Sequence, residues 1–322
     1  MQVVDRSPDD PRYSGRMRDP ELLFELTAAA DGVPAGLPLV AGLTGFADAG
    51  SAVTQLNQYL LEALEVVPVA EFDNDALLDY RARRPIILFD QDHLADYTPL
   101  HLTLSIAHDD VGQSFLLLTG YEPDFQWERF ADALFLLMDR FAVSSLTWVH
   151  AIPMPVPHTR PIQVTVSGTR SELIESMSVW KPRTQAPANL LHLVEYRMQD
   201  RGDEVTGFVL LIPHYLADTE LPSAAVAALE SISASTGLIF PTDRLRTEGR
   251  EFLVKIDEQV TGNDELRRLV GTLEERHDTY MEGVPLQSPL TNEDGGMPTA
   301  DEIAAELEKF LATRRKRDDE QP

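Results

Sequence analysis

Side chains able to move a proton or hold an anion gather in a few short stretches of this 322-residue chain. Thr44, Gly45 and Asp48 lie in the run Leu39 to Ala52, where an apolar segment meets glycines at 42, 45 and 50. Glu122 and Asp124 flank Pro123 just after Gly120 and Tyr121. His158, Thr159 and Arg160 precede Pro161, and His214 stands between Pro213 and Tyr215. Histidines and carboxylates are the usual carriers of general acid and base catalysis. Arg160, or backbone amides near Thr44 and Gly45 at a helix start, would hold an anion. On this reading Asp48, Glu122, His158 and His214 are the catalytic candidates, and Thr44, Gly45 and Arg160 line a candidate anion or substrate crevice. Each has a plainer use. An aspartate before a helix satisfies the same amide donors as a cap, and a histidine at a strand end is commonly held by structural hydrogen bonds.

Sharper signatures are absent. The glycines at 42, 45 and 50 do not make G-x-G-x-x-G, and no G-K-[ST] follows them, so neither nucleotide fingerprint is present. No G-x-S-x-G elbow occurs. No H-x-x-x-H or H-E-x-x-H spacing occurs, so no metal site and no cofactor are expected. Cysteine is missing altogether, which excludes disulfides, thiolate ligands and a cysteine nucleophile. Lysine occurs only at 181, 255, 309 and 316. Chemistry on nucleotide phosphates needs cationic side chains near its carboxylates and magnesium, and the span Leu39 to Pro241 contains one lysine, Lys181.

The elements that would position these residues are readable from period and punctuation. Pro38 to Leu43 reads as a buried strand that turns at Asp48 into a helix carrying Val53, Leu56, Leu60, Leu61 and Leu64. Glu21 to Leu26 reads as an edge strand, and Val66 to Phe72 and Pro85 to Phe89 as short β-rich runs. His101 to Ala107 alternates as a half-buried strand, and Phe115 to Thr119 is apolar throughout, as a strand covered on both faces is. Trp127, Phe130, Leu134, Leu137 and Phe141 make one face of a helix over Asp124 to Phe141. Ser145 to Val149, Ile162 to Val166 and Val205 to Ile212 follow as strands, with helices over Pro187 to Gln199 and Ser223 to Thr236. Between them runs a stiff loop with prolines at 153, 155, 157 and 161. Trp180, in a polar stretch before Pro182, is the candidate partner contact.

This alternation predicts an α/β protein of three α/β/α layers around a mostly parallel or mixed sheet. The expected divisions are a loose arm over 1–20, a core over 21–245 and amphipathic helices over 246–282 packed on the core or a neighbour. A polar linker over 283–298 and a short helix with a mobile charged tail over 299–322 complete them.

The strand-end turns form a recognisable set. Gly42 to Gly50, Gly120 to Asp124, the proline loop Ile152 to Pro161 with its His158-Thr159-Arg160-Pro161, and Val209 to Tyr215 resemble the actinobacterial branch of the proteasome assembly chaperone 2 family over about residues 20–280. That resemblance implies a fold similar to purine nucleoside phosphorylases and related hydrolases, with C-terminal helices. It implies a homo-oligomer, a trimer in the simplest case, and a role in protein assembly. Eukaryotic relatives are chaperones of the proteasome α-ring and end in a hydrophobic-Tyr-X tail; this chain closes on Asp318 to Pro322 instead.

A formal net charge of -26 repels phosphate backbones and anionic lipid, so nucleic acid and membrane surfaces are not expected partners. The expected partners are further copies of the chain and another, proteasome-related protein, in the cytoplasm. The leading expectation is a non-catalytic interaction or assembly protein. The alternative is a phosphorylase- or hydrolase-type enzyme acting on a nucleoside or other small polar molecule at the strand ends.

Overall fold

A computed structural model describes residues 19–181 and 185–282. The elements run Phe24–Leu26 (β1), Leu39–Thr44 (β2), Ala52–Ala63 (α1), Val66–Phe72 (β3), Asn74–Leu77 (α2), Ile86–Asp90 (β4) and His93–Thr98 (β5). Leu102–His108 (β6), Ser114–Tyr121 (β7), Trp127–Arg140 (α3), Leu146–Met154 (β8) and Gln163–Gly168 (β9) follow. Ser171–Met177 (α4), Leu190–Arg201 (α5), Val205–Pro213 (β10), Pro222–Thr236 (α6), Asp243–Thr261 (α7) and Asp264–Glu282 (α8) end the described chain.

Eight strands make one mixed sheet in the order β1-β3-β6-β7-β2-β8-β10-β9. Its centre, β7-β2-β8-β10, is parallel, while β6, β3, β1 and β9 attach antiparallel. The apolar runs of β2 and β7 follow from this position, since central parallel strands are covered on both faces. On one face Leu39, Ala41, Leu116, Leu118 and Trp148 meet α3 and α5 through Phe130, Leu134, Leu190 and Val194. On the other, Val40, Leu117, Val149 and Phe208 meet α1 and α6 through Leu56, Leu60, Ala224 and Leu229. The predicted three layers are therefore the observed ones.

Several boundaries moved for physical reasons. The expected edge strand from Glu21 is a 3-10 turn over Pro20–Leu23, and pairing with β3 starts only at Phe24. The helix expected from Pro187 starts at Leu190. Asn189 caps it by accepting from His192 N at 2.9 Å, and His192 Nδ1 accepts from Asn189 N at 3.1 Å. Among the described residues the run Pro85 to Phe89 forms no part of the large sheet, and β4 pairs only with β5 in a separate hairpin.

The chain divides into two compact units, residues 1–275 and 276–322. The expected boundary at 245/246 falls inside the first turn of α7. In the second unit the described residues are the end of α8, where His277 Nδ1 lies 3.1 Å from Asp278 Oδ1. The expected linker at 283–298, the helix and tail at 299–322, and all but the last two residues of the arm at 1–20 lie outside the described residues.

Candidate functional site

The carboxyl ends of β2 and β7 deliver their loops to opposite faces of the sheet, β2 into α1 and β7 into α3. That divergence is the place where open α/β sheets form a crevice. An open cleft of about 510 Å³ lies there, lined by Thr44, Gly45, Asp48, Thr54, Asn57 and Tyr121 among others. Its backbone is fixed by Thr44, whose Oγ1 donates to Gly120 O at 3.3 Å and whose carbonyl accepts from Glu122 N at 2.7 Å. Gly45 has φ +134°, and a Cβ there would stand 2.7 Å from Arg83 Nη2. The backbone angle alone calls for glycine there.

The acids of this edge are bonded to the fold. Asp48 Oδ1 accepts from Val53 N at 2.8 Å; its Oδ2 accepts from Thr54 N at 2.9 Å and Thr54 Oγ1 at 2.7 Å. The carboxylate thus occupies the amides of the α1 N-terminus, where negative charge is favoured. Glu122 is buried, and its Oε1 accepts from Leu190 N at 2.5 Å, at the first residue of α5. Burial pushes its carboxyl upward, opposed in part by that N–H and by Arg83. Asp124 pairs with Arg83 and accepts from Asp79 N at 2.7 Å. The seam between Phe46, Glu122 and Leu190 is closed.

His150, on β8, is buried with its ring stacked on Phe46 at 5.9 Å and edge-on to His192 at 6.4 Å. Burial, reinforced by His192, pushes it down to about 4, and Asp48 opposes the shift weakly. A neutral ring follows at pH 7.

The proline loop builds a different place. His158 Nδ1 lies 2.6 Å from Tyr215 Oη, and its Nε2 lies 3.0 Å from Asp257 Oδ1 on α7. An acidic acceptor at Nε2 fixes the proton there, leaving Nδ1 to accept from the Tyr215 hydroxyl. That hydroxyl also accepts from His158 N at 2.8 Å. Burial pushes Tyr215 up to about 12, so its phenol stays protonated. Beside this clasp Thr159 Oγ1 donates to Glu274 Oε1 at 2.5 Å, and Arg160 Nη1 lies 3.4 Å from the same oxygen. His158, Thr159, Arg160 and Asp257, with Arg246, Glu230, Val226 and Leu253, line a second cleft of about 580 Å³.

The sequence-derived candidates therefore separate into two places. Thr44, Gly45 and Asp48 share the first cleft, with Glu122 packed behind Gly45. His158 and Arg160 share the second, with Pro213 on its wall. His214 is exposed and meets Tyr215 edge-on at 5.4 Å. Trp180 is half-buried, and its carbonyl accepts from Ser178 Oγ at 3.3 Å. Sequence reasoning did not pair His158 with Asp257 or Glu122 with Leu190, because partners 99 and 68 residues apart leave no local signal. Among the described residues no group of three or more histidines and acids is arranged to hold a metal ion. No described helix is long and apolar enough to cross a membrane.

Comparison with known proteins gives a consistent set of likenesses. The family model described as PAC2 family matches residues 42–260. A Corynebacterium glutamicum protein of unknown function is 32% identical, with a TM-score of 0.78 over 81% of this chain and 98% of that one. A Mycobacterium tuberculosis protein of unknown function is 39% identical, with a TM-score of 0.76 over 81% of this chain and 92% of that one. A second M. tuberculosis structure, a proteasome-assembly chaperone homologue, shares the fold at 22% identity and a TM-score of 0.66, covering 73% of this chain and 100% of that one. None of the curated proteins compared matches the chain.

Proposed function

The chain belongs to the PAC2 family, and from that premise we propose that it is a non-catalytic, assembly-chaperone-like interaction protein that works as a homo-oligomer. The observation that carries this reading is the state of the strand-end acids. Asp48 and Glu122 are consumed at the N-termini of α1 and α5, and Asp124 is consumed by Arg83. His158, the best-placed base, is held on both ring nitrogens. Groups locked in this way hold a fold together. General catalysis needs a base within reach of a substrate proton.

The partner we propose is another protein, of the proteasome-related class that the name of the M. tuberculosis chaperone homologue suggests. Further copies of this chain complete the assembly, a trimer being the form that the family resemblance implies, and Trp180 is a candidate contact. The cytoplasm is the proposed location. The enzyme alternative draws no support from the family. Its remaining basis is the cleft at Thr44 and Gly45.

One paired experiment separates the two. Purified protein is titrated against purified proteasome α-subunits in sedimentation velocity, and its melting is screened with phosphate, nucleosides and nucleotides. Formation of a complex with an unmoved melting temperature is the expected result. A small ligand present at 100 times its Kd would add about 2.7 kcal/mol of stability. Such a shift without any protein complex would overturn the proposal.

A further inference from the structure

The strand-end cleft against α1 holds a set of neutral hydrogen-bonding groups that the fold leaves unused. Alternate residues of β7 face the same side of the sheet, and Phe115 and Leu117 belong to the core that α1 covers. Thr119 takes the next inward position, where the cleft opens. It is 8% exposed and lines the cleft, and its hydroxyl has no partner among the described residues. A hydroxyl buried to that degree is ordinarily hydrogen-bonded. Asn57 on α1 repeats the pattern: its Nδ2 donates to Gly42 O at 2.9 Å, while its Oδ1 is buried and has no partner. Gln58 and His101 line the same cleft, both exposed and both without a hydrogen-bond partner for the side chain among the described residues.

Charge decides which molecule these groups fit. Neither arginine nor lysine lines the cleft, and Asp48 is its one carboxylate among the described residues. Asp48 accepts from Val53 N, Thr54 N and Thr54 Oγ1, at the positive end of the α1 dipole. Those amides are therefore taken, and Arg160 stands in the other cleft, so phosphate meets no cluster of donors here. An ammonium ion meets only a carboxylate whose charge the helix already offsets. Leu61, 50% exposed, and the ring of Tyr121, with Arg83 5.4 Å from its centroid, supply apolar wall. The volume of about 510 Å³ falls within the range of about 300–1,000 Å³ usual for small-molecule sites. The matching molecule has several hydroxyls that both donate and accept, C–H surface between them and no net charge. We propose that this cleft binds a neutral polyhydroxylated molecule, a sugar or a cyclitol, with Thr119, Asn57 and Gln58 meeting its hydroxyls and Tyr121 and Leu61 its C–H faces.

This use of the cleft involves no turnover and stands apart from the assembly role. The test is isothermal titration of the full chain with glucose, maltose and myo-inositol, and with inorganic phosphate and spermidine as charged controls. Saturable binding of at least one of the three neutral compounds, and of neither control, is expected. Thr119→Val keeps the β-branched shape and removes the hydroxyl. It should weaken that binding about fivefold, the effect of one neutral hydrogen bond, and melt no lower than the wild type, since the hydroxyl it removes is unpaired. Gln58→Ala, on the exposed side of α1, leaves the core untouched and should weaken binding about threefold. Weakening by either variant places the molecule in this cleft. Failure of all three neutral compounds to bind overturns the inference, as does binding of phosphate or spermidine with comparable strength. Neutral-ligand binding that neither variant weakens overturns it too, because the molecule would then sit elsewhere.

Discussion

Glu122 at the end of β7 accepts a hydrogen bond from the backbone N–H of Leu190, the first residue of α5, at 2.5 Å. One carboxylate thereby joins a central strand to a helix that covers it. Glu122→Ala removes the acceptor from a buried helix terminus, and a loss of about 1–2 kcal/mol in urea unfolding is expected. Glu122→Gln keeps the acceptor and removes the charge. Because burial raises the folded-state pKa of Glu122, its contribution is fully present below the ordinary carboxylate range and is lost as pH rises through the raised value. The glutamine variant should therefore gain on the wild type as pH rises above the ordinary carboxylate range. A stability difference that stays flat with pH would contradict the burial assigned to this group.

His150 carries the opposite dependence. Its folded pKa is depressed from 6.5 to about 4, so its contribution is complete above 6.5 and disappears as pH falls through 4. The shift corresponds to something on the order of 3 kcal/mol at its full extent. His150→Phe keeps a ring to stack on Phe46 and cannot charge. The wild type is expected to lose stability relative to this variant between pH 6.5 and 4. Parallel pH profiles for the two proteins would mean that His150 charges freely in the folded state.

What the sequence disclosed and what it withheld follow from the range of the interactions. β2 and β7 are legible because a strand covered on both faces must be apolar along its length. The stripe of α3 is legible because Phe130, Leu134 and Leu137 recur at helical spacing. The β4–β5 hairpin is only half legible. Its two-residue turn is Gln91-Asp92, with Gln91 at φ 52°, and the Asn-Gly or Asp-Gly signal of such turns is missing. The capping use of Asp48 was legible, but the partners of His158 were not. Asp48 meets its partners within six residues, whereas His158 reaches Tyr215 and Asp257 only through the fold. No spacing rule reports that the proline loop and the strand-end crevice open into separate clefts.

The His158 clasp makes its own prediction. Tyr215→Phe removes a hydroxyl that serves both the ring and the backbone N–H of His158, and a cost of about 1–2 kcal/mol is expected. His158→Ala costs at least as much, because it also frees Asp257 from its partner. In a double-mutant cycle the two losses should fall short of adding by roughly 0.5 kcal/mol or more, as groups sharing hydrogen bonds do. Strict additivity would show that the tyrosine and histidine act separately.

Gly207 on β10 tests the packing beneath the sheet. A Cβ there would stand 2.6 Å from Glu195 Oε2 and from the ring atoms Cε2 and Cζ2 of Trp148. Trp148 is fully buried, and its Nε1 donates to that same Glu195 oxygen at 2.8 Å. Ser167 Oγ donates to it from the other side at 3.0 Å. Neither neighbour can retreat without breaking the bond between them, so Gly207→Ala is expected to cost about 1–3 kcal/mol. Tryptophan fluorescence should shift with it. Replacing the indole by a smaller ring opens the space, so Gly207→Ala should cost much less in a Trp148→Phe background. An equal cost in both backgrounds would trace the effect to the β10 backbone, and the close approach of Gly207 to the indole would then carry no weight.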